Sequence, residues 1–347
     1  MSTSPKTTGT TPNRSRRRDR FIDVEVPESR IARYPRPKGK SKLLVIHREP
    51  FSLEHRVFSD LPDILRSTGD RFVVVLNDTR VIKALLPMVK PSGRTVMVLF
   101  TERVPGGFKG MVKGRMKPGW VLRTPKGREA KVVGRDGEGY VLFEMEDVFS
   151  ALEEEGRMPL PPYIGREPGP EDEEYYQTVY ARNPGSVAAP TAGLHFTQDI
   201  LRRLEEYGFP VFYITLHVGP GTFRPVKDPD SHRMEREYYR IPDEVAERIE
   251  EHRRSGGKVL AVGTTTTRAL ESWAITGKRE GYTDLFIRPP YRFRVVDALL
   301  TNFHLPDGTP ILLTTAFAGR DVIERAYREA LKRDYTFFSY GDATLIL

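Results

Sequence analysis

The sequence predicts an α/β fold: a large mixed α/β domain, discontinuous along the chain, with a small antiparallel β-barrel inserted into it. Between residues 85 and 146, five strand-like runs (95–101, 108–112, 120–123, 130–133 and 140–144) alternate with Gly/Pro turns at roughly even spacing. No helix-length apolar periodicity intervenes, which is the pattern of a small barrel. On either side the texture is mixed, with short buried-strand runs alternating with stretches whose apolar residues recur every three or four positions. The α/β domain is therefore expected over 21–84 and 151–347, and the barrel over 85–150.

Taken in order, residues 1–20 are rich in Ser, Thr, Pro and Arg with almost no apolar side chain. They bury too little to offset the entropy of ordering and are expected to be a disordered basic arm, without the apolar stretch of a secretory signal. Leu43-Leu44-Val45-Ile46 and Phe72-Val73-Val74-Val75-Leu76 read as buried strands. After Pro159-Leu160-Pro161-Pro162, Thr197 is placed to cap a helix with Ile200, Leu201 and Leu204 on one face and a stop at Gly208. A strand over 211–216, a helix marked by Val245, Ala246 and Ile249, a strand over 259–262 and a helix following Arg268 come next. Val322, Ile323, Ala326, Tyr327, Ala330 and Leu331 form a last helical stripe.

The 347 residues include no Cys. That excludes a disulfide scaffold, a thiolate nucleophile, an iron–sulfur cluster and Cys-ligated zinc. No apolar run is long enough to span a bilayer as a helix. The net charge of +8 is uneven: the first 20 residues carry six basic residues and one acid, so the remainder holds only +3. Between Arg103 and Arg135 there are ten basic residues and one acid, Glu129. Such clustering suits a phosphate-backbone contact, and equally a solvated basic face.

Four segments gather catalytically capable side chains, the first three of them with glycine. In 185–196, small residues precede His195 just ahead of a helix start, where free N–H groups favour an anion. In 215–223, a strand ends at Gly219-Pro220-Gly221 and leaves His217 at its carboxyl end, the edge where α/β sheets bind ligands. In 262–271, a strand, Gly263 and the hydroxyl-rich loop Thr264-Thr265-Thr266-Thr267 lead to Arg268 and a helix, resembling an anion cradle but lacking the Lys of a P-loop. In 300–306, Asn302 and His304 share one side of a strand at period two. No HExxH or His-x-His spacing occurs, so no metal ligand is assigned; Gly-x-Gly-x-x-Gly is absent too, which removes support for a Rossmann dinucleotide site.

Together these runs resemble one family, the S-adenosylmethionine:tRNA ribosyltransferase-isomerases of queuosine biosynthesis. The matching runs include Leu76-Asn77-Asp78-Thr79-Arg80-Val81-Ile82, Pro159-Leu160-Pro161-Pro162-Tyr163-Ile164, Tyr176-Gln177-Thr178-Val179-Tyr180-Ala181, residues 185–196, 215–226, 262–271, 283–287 and 296–306, and Phe337-Phe338-Ser339-Tyr340-Gly341-Asp342-Ala343. They occur in family order from residue 21 to the end of the chain. The resemblance implies transfer and isomerisation of the ribosyl part of S-adenosylmethionine onto the aminomethyl group of a 7-deazaguanine at the tRNA wobble position. Epoxyqueuosine forms, and adenine and methionine leave.

For that chemistry the sulfonium acidifies the ribose C5′ proton, and His195, His217 and His304 suit the base by residue type. Asn302 or Asp342 would help adenine leave. The segment Thr264, Thr265, Thr266 and Arg268 would meet the methionine carboxylate. Thr191, Gly193, Gly219, Gly221 and Thr222, with Asn77, Asp78 and Arg80, complete the cosubstrate-binding candidates. The basic stretch would receive the tRNA, whose wobble base must be turned outward. S-adenosylmethionine is expected as cosubstrate with no prosthetic group, in a cytoplasmic protein for which a monomer is favoured.

The chain departs from the family pattern at several positions. Leu85 stands where Arg is usual, His232-Arg233-Met234-Glu235 where His-x-Met-His is usual, Asp307-Gly308 after His-Leu-Pro where a basic residue and Ser-Thr are usual, and Thr336 and Thr344 where Arg and Met are usual. The alternatives are a paralogue with a different acceptor and a non-catalytic RNA-binding protein.

Overall fold

A computed structural model describes residues 21–223, 226 and 228–347, with the side chains of 222 and 223 excepted. The expected N-terminal arm lies outside the described residues. Seventeen strands follow one another along the described chain. They begin with β1 (Lys42–His47), β2 (Ser52–Val57), β3 (Phe72–Asn77) and β4 (Thr79–Val81). Next come β5 (Leu85–Val89), β6 (Thr95–Val104), β7 (Gly107–Val112), β8 (Val121–Arg123), β9 (Glu129–Arg135) and β10 (Val141–Glu144). The series ends with β11 (Asn183–Ser186), β12 (Val211–Leu216), β13 (Glu237–Arg240), β14 (Lys258–Val262), β15 (Glu280–Thr283), β16 (Ala298–Asn302) and β17 (Ala343–Ile346).

Nine strands form the main sheet in the order β15-β13-β12-β3-β14-β16-β17-β1-β2. Its centre is parallel, with β3 flanked by β12 and β14, and β14 by β16. Every residue of β3 is buried, as both-face coverage of a parallel sheet requires. Alternation sorts that strand between two cores: Val73 and Val75 pack beneath Ala246, Ile249, Ala269 and Leu270. Phe72, Val74 and Leu76 face Leu65, Ile200, Leu201 and Leu204 on the opposite side.

The barrel closes as β10-β7-β6-β5-β8-β9 around Leu86, Met88, Val98, Phe108, Leu122, Val132 and Phe143. Its sixth strand, β5, is not among the five runs read from sequence, because Pro87 breaks the pattern. The chain enters and leaves the barrel through a narrow neck: Leu85 and Arg157 exchange backbone hydrogen bonds of 3.1 and 2.9 Å. A Cβ on Gly156 would lie 2.1 Å from the Lys83 carbonyl oxygen, so only glycine lets the two segments approach so closely.

Two local expectations are corrected. The helix expected after Arg268 starts at Thr264, so the threonine run is its first turn, not a loop. Thr266 and Thr267 donate their hydroxyls back to the carbonyls of Val262 and Gly263, four residues earlier, and so accept helical geometry. His304 lies two residues past the end of β16 and so is not a strand neighbour of Asn302.

Candidate active site

The carboxyl ends of the parallel strands converge on a few polar contacts. At the end of β3, Asn77 donates to the Leu216 carbonyl at 2.9 Å and to Thr265 Oγ1 at 3.3 Å, and its Oδ1 accepts from the Leu216 N–H. Gly263 donates to the Leu300 carbonyl at 2.7 Å and has φ +91, a conformation glycine takes without steric penalty. These bonds hold β12, β3, β14 and β16 together where α/β sheets place ligands.

Beside them lies a narrow cavity of about 80 Å³, walled by Tyr163, Thr191, Val218, Thr264, Thr265, Asn302, His304, Phe338 and Ser339 among others. Asn302 is 2% exposed; its Nδ2 donates to the Phe338 carbonyl at 3.0 Å, which fixes the amide, and its Oδ1 is turned to His195, where it and His195 Nε2 are both buried without any other partner among the described residues. Phe338 sits at φ +73, a strained value for a bulky residue, and packs on Tyr163 with the rings tilted and their centres 5.0 Å apart. His304 Nε2 is 2.7 Å from Thr301 Oγ1, and burial pushes its pKa down to about 3.

A smaller cavity adjoins through Thr264, Thr265 and Pro310, which belong to both walls, and it adds Arg268, Met234, Leu285 and Phe286. A wider cleft of about 560 Å³ lies between the barrel and the main sheet. The barrel contributes Thr101, Glu102, Lys109, Glu138 and Tyr140; the body contributes His217, Val218, Gly219, Glu235, Glu237, Tyr238 and others. Val218 belongs to both this cleft and the narrow cavity. The His217 ring stacks on Tyr238 at 5.5 Å, and its Nδ1 is 2.9 Å from Thr79 Oγ1. Burial lowers its pKa, with Asp78 opposing.

The remaining expected residues stand elsewhere. His195 is 4% exposed and is not on any of these walls. It packs on Phe58, its Nδ1 is 3.0 Å from Ser41 Oγ, and burial pushes its pKa down to about 4, with Asn302 opposing part of the shift. Asp342 is fully buried, with one oxygen accepting from the Lys42 N–H and the other from the Thr336 N–H and hydroxyl, so it ties loop to strand. Asp78 accepts from Asn183 and Thr215, and Arg80 is exposed. Gly193 packs against the Tyr180 hydroxyl, Gly221 against Glu235, and Thr266 is used within its helix. The Thr222 side chain lies outside the described residues. Tyr163, Val218, Phe338, Ser339 and Tyr238 were not singled out from sequence: aromatic and aliphatic walls carry no motif until the fold brings them together. Tyr163, Val218, Phe338 and Ser339 did lie within family-matching runs; Tyr238 did not.

A large mixed sheet with an inserted closed barrel, and adjoining cavities at the parallel strand ends, define an α/β enzyme scaffold. The family described as "Queuosine biosynthesis protein" matches residues 20–346, and the chain belongs to it. A curated relative from Rubrobacter xylanophilus, named S-adenosylmethionine:tRNA ribosyltransferase-isomerase, is 47% identical, covering 94% of this chain and 96% of its own. One of the same name from Thermus thermophilus is 48% identical, covering 94% and 98%. The crystal structure of S-adenosylmethionine tRNA ribosyltransferase from Thermotoga maritima superposes with a TM-score of 0.54 at 33% identity, covering 94% of this chain and 99% of that one. Among the described residues no helix is long and apolar enough to cross a membrane, and no group of three His, Cys, Asp or Glu could hold a metal.

Proposed function

We propose that this chain transfers and isomerises the ribosyl moiety of S-adenosylmethionine onto the aminomethyl group of a 7-deazaguanine at the tRNA wobble position. It would work as a cytoplasmic monomer. The observation that carries this reading is the convergence of Asn302, His304, Thr264 and Thr265 on one cavity at the strand ends, in a chain that matches the family over nearly its whole length.

The narrow cavity takes the cosubstrate. The sulfonium acidifies the neighbouring C5′–H, and His304 is the imidazole on that wall placed to take the proton; the burial that keeps it neutral at pH 7 also lowers its basicity. Asn302 Oδ1, which keeps a lone pair beyond the one turned to His195, accepts from the exocyclic amino group of the adenine, holding the base as it leaves. The wide cleft takes the turned-out acceptor base, with Tyr238 as a stacking surface and His217 beside its amine. The amine bonds to a ribosyl carbon and gives up a proton; the glycosidic bond breaks and adenine departs with the proton taken from C5′. The C5′–S bond breaks with its electron pair on sulfur, so methionine leaves as a neutral thioether carrying its methyl group while the ribosyl carbons reclose with the epoxide. His195 supports the Asn302 side from behind the wall.

The test incubates the protein with S-adenosylmethionine and tRNA bearing the aminomethyl precursor. Free adenine and methionine in equal amounts, with a modified wobble nucleoside, are expected. Adenine release with an unchanged nucleoside would point to another acceptor, and binding without adenine release would reject catalysis.

A further inference from the structure

Arg268 holds a buried donor that the fold leaves unused. Its side chain is 7% exposed. Nε donates to the Leu285 carbonyl at 2.9 Å, and Nη1 donates to Glu237 Oε2 in a tight ion pair. Nη2 is buried and has no partner among the described residues. A dry guanidinium nitrogen without an acceptor carries the full cost of its lost hydration, so it marks a position where a ligand atom belongs.

The surroundings specify that atom's charge. Arg268 lies four residues past Thr264, on the 13-residue helix Thr264–Thr276, whose first N–H groups have no intrahelical acceptor. Its side chain leans back toward that N-terminus. Thr264, Thr265 and Arg268 share the wall of the smaller cavity, the rest of which is apolar apart from Thr309: Met234, Leu285, Phe286, Ile287, Pro310 and Leu313. Among the described residues Arg268 is the only Lys or Arg lining the two joined cavities, and Glu237 already neutralises much of its charge. A single negative charge fits; a phosphate chain would bring more than one half-neutralised cation can balance.

We infer that the joined cavities bind their ligand in one direction, with its α-carboxylate on Arg268 Nη2 and the N-terminal N–H groups of the helix, and its adenine at Asn302 and Phe338. This deepens the proposed function and rests on its placing S-adenosylmethionine in the narrow cavity. The amino-acid end then lies against the Arg268–Glu237 pair. Glu237 also accepts from the Gly219 N–H at 2.8 Å on the cleft side, so the same pair forms a partition between cosubstrate and acceptor.

The experiment compares two adenosine thioethers by titration calorimetry: S-adenosylhomocysteine, which carries the amino-acid group, and 5′-methylthioadenosine, which lacks it. Wild type should bind the first at least about tenfold more tightly, the effect of one charge-assisted hydrogen bond. Removing Arg268 alone would strand Glu237, so the variant is Arg268→Met with Glu237→Gln, which keeps an acceptor for Gly219. It should bring the two ligands within about twofold of each other by weakening only S-adenosylhomocysteine. Unchanged 5′-methylthioadenosine affinity would show the cavity intact. A tenfold gap that persists in the double variant would overturn the orientation while leaving the cavity assignment standing. Loss of both ligands from the double variant would also overturn it, because Arg268 would then be structural. Failure of wild type to bind either would overturn the cavity assignment itself.

Discussion

His304 and His217 occupy the walls of adjoining chambers that share Val218, whereas His195 stands behind Asn302. The three imidazoles are thus not equivalent, although the sequence offers no distinction between them. All three lie in apolar surroundings that disfavour the charged ring. A base works when it is neutral, which holds above its pKa. With its pKa near 3, His304 stays neutral down through pH 6, and burial lowers His217 in the same direction. Single-turnover adenine release should therefore stay flat from pH 8 to pH 6, with its acid limb well below the ordinary histidine value of about 6.5. A limb of unit slope centred near pH 6.5 would contradict the assignment. His304→Ala should lower that rate at least about 100-fold with little change in tRNA affinity.

At the scale of elements, the basic stretch of the barrel divides into two populations. Lys109, Arg123, Lys126, Arg128 and Lys131 are tied to Glu102, Glu129, Glu154, Glu155 or Glu144, and so contribute little field. Lys113, Arg115 and Lys117, in the β7–β8 connection, are exposed and carry no ion pair among those described. Lys90 donates to the Arg115 carbonyl and Arg135 to the Gly114 carbonyl, which gathers further cations at the same loop. Arg135 also reaches the Gly139 carbonyl, in the turn that carries Glu138 and Tyr140 to the cleft. Replacing Lys113, Arg115 and Lys117 by Ala should flatten the salt dependence of tRNA binding by about 0.7–0.9 per lost phosphate contact. Arg123→Ala with Lys126→Ala should leave it unchanged. Equal slopes for the two variants would reject the loop as the phosphate contact.

For the whole molecule, the legible features were those with a local signature. The barrel texture, the buried runs of β1 and β3 and the Thr197 cap need no knowledge of distant residues. The helix Thr309–Ala318 is apolar on nearly every side and so shows no period. β13 and β15 are short and partly exposed, and β17 becomes a strand only between β16 and β1. The site was half legible for the same reason. Glycine and histidine placements mark strand ends, but whether an imidazole faces a cavity depends on packing. His195 and Asp342 share the composition of site residues, yet Lys42 and Thr336 hold Asp342, and Phe58 and Ser41 hold His195 with its Nε2 turned to Asn302.

The most direct measurement is a structure of the protein with S-adenosylhomocysteine bound. The cavity of about 80 Å³ must widen to admit it. The adenine should lie against Phe338 with its amino group on Asn302 Oδ1, and the ribose C5′ should face His304. The same molecule lodged instead beside Tyr238 and Glu235, with the chamber of Asn302 and His304 still closed, would contradict the account.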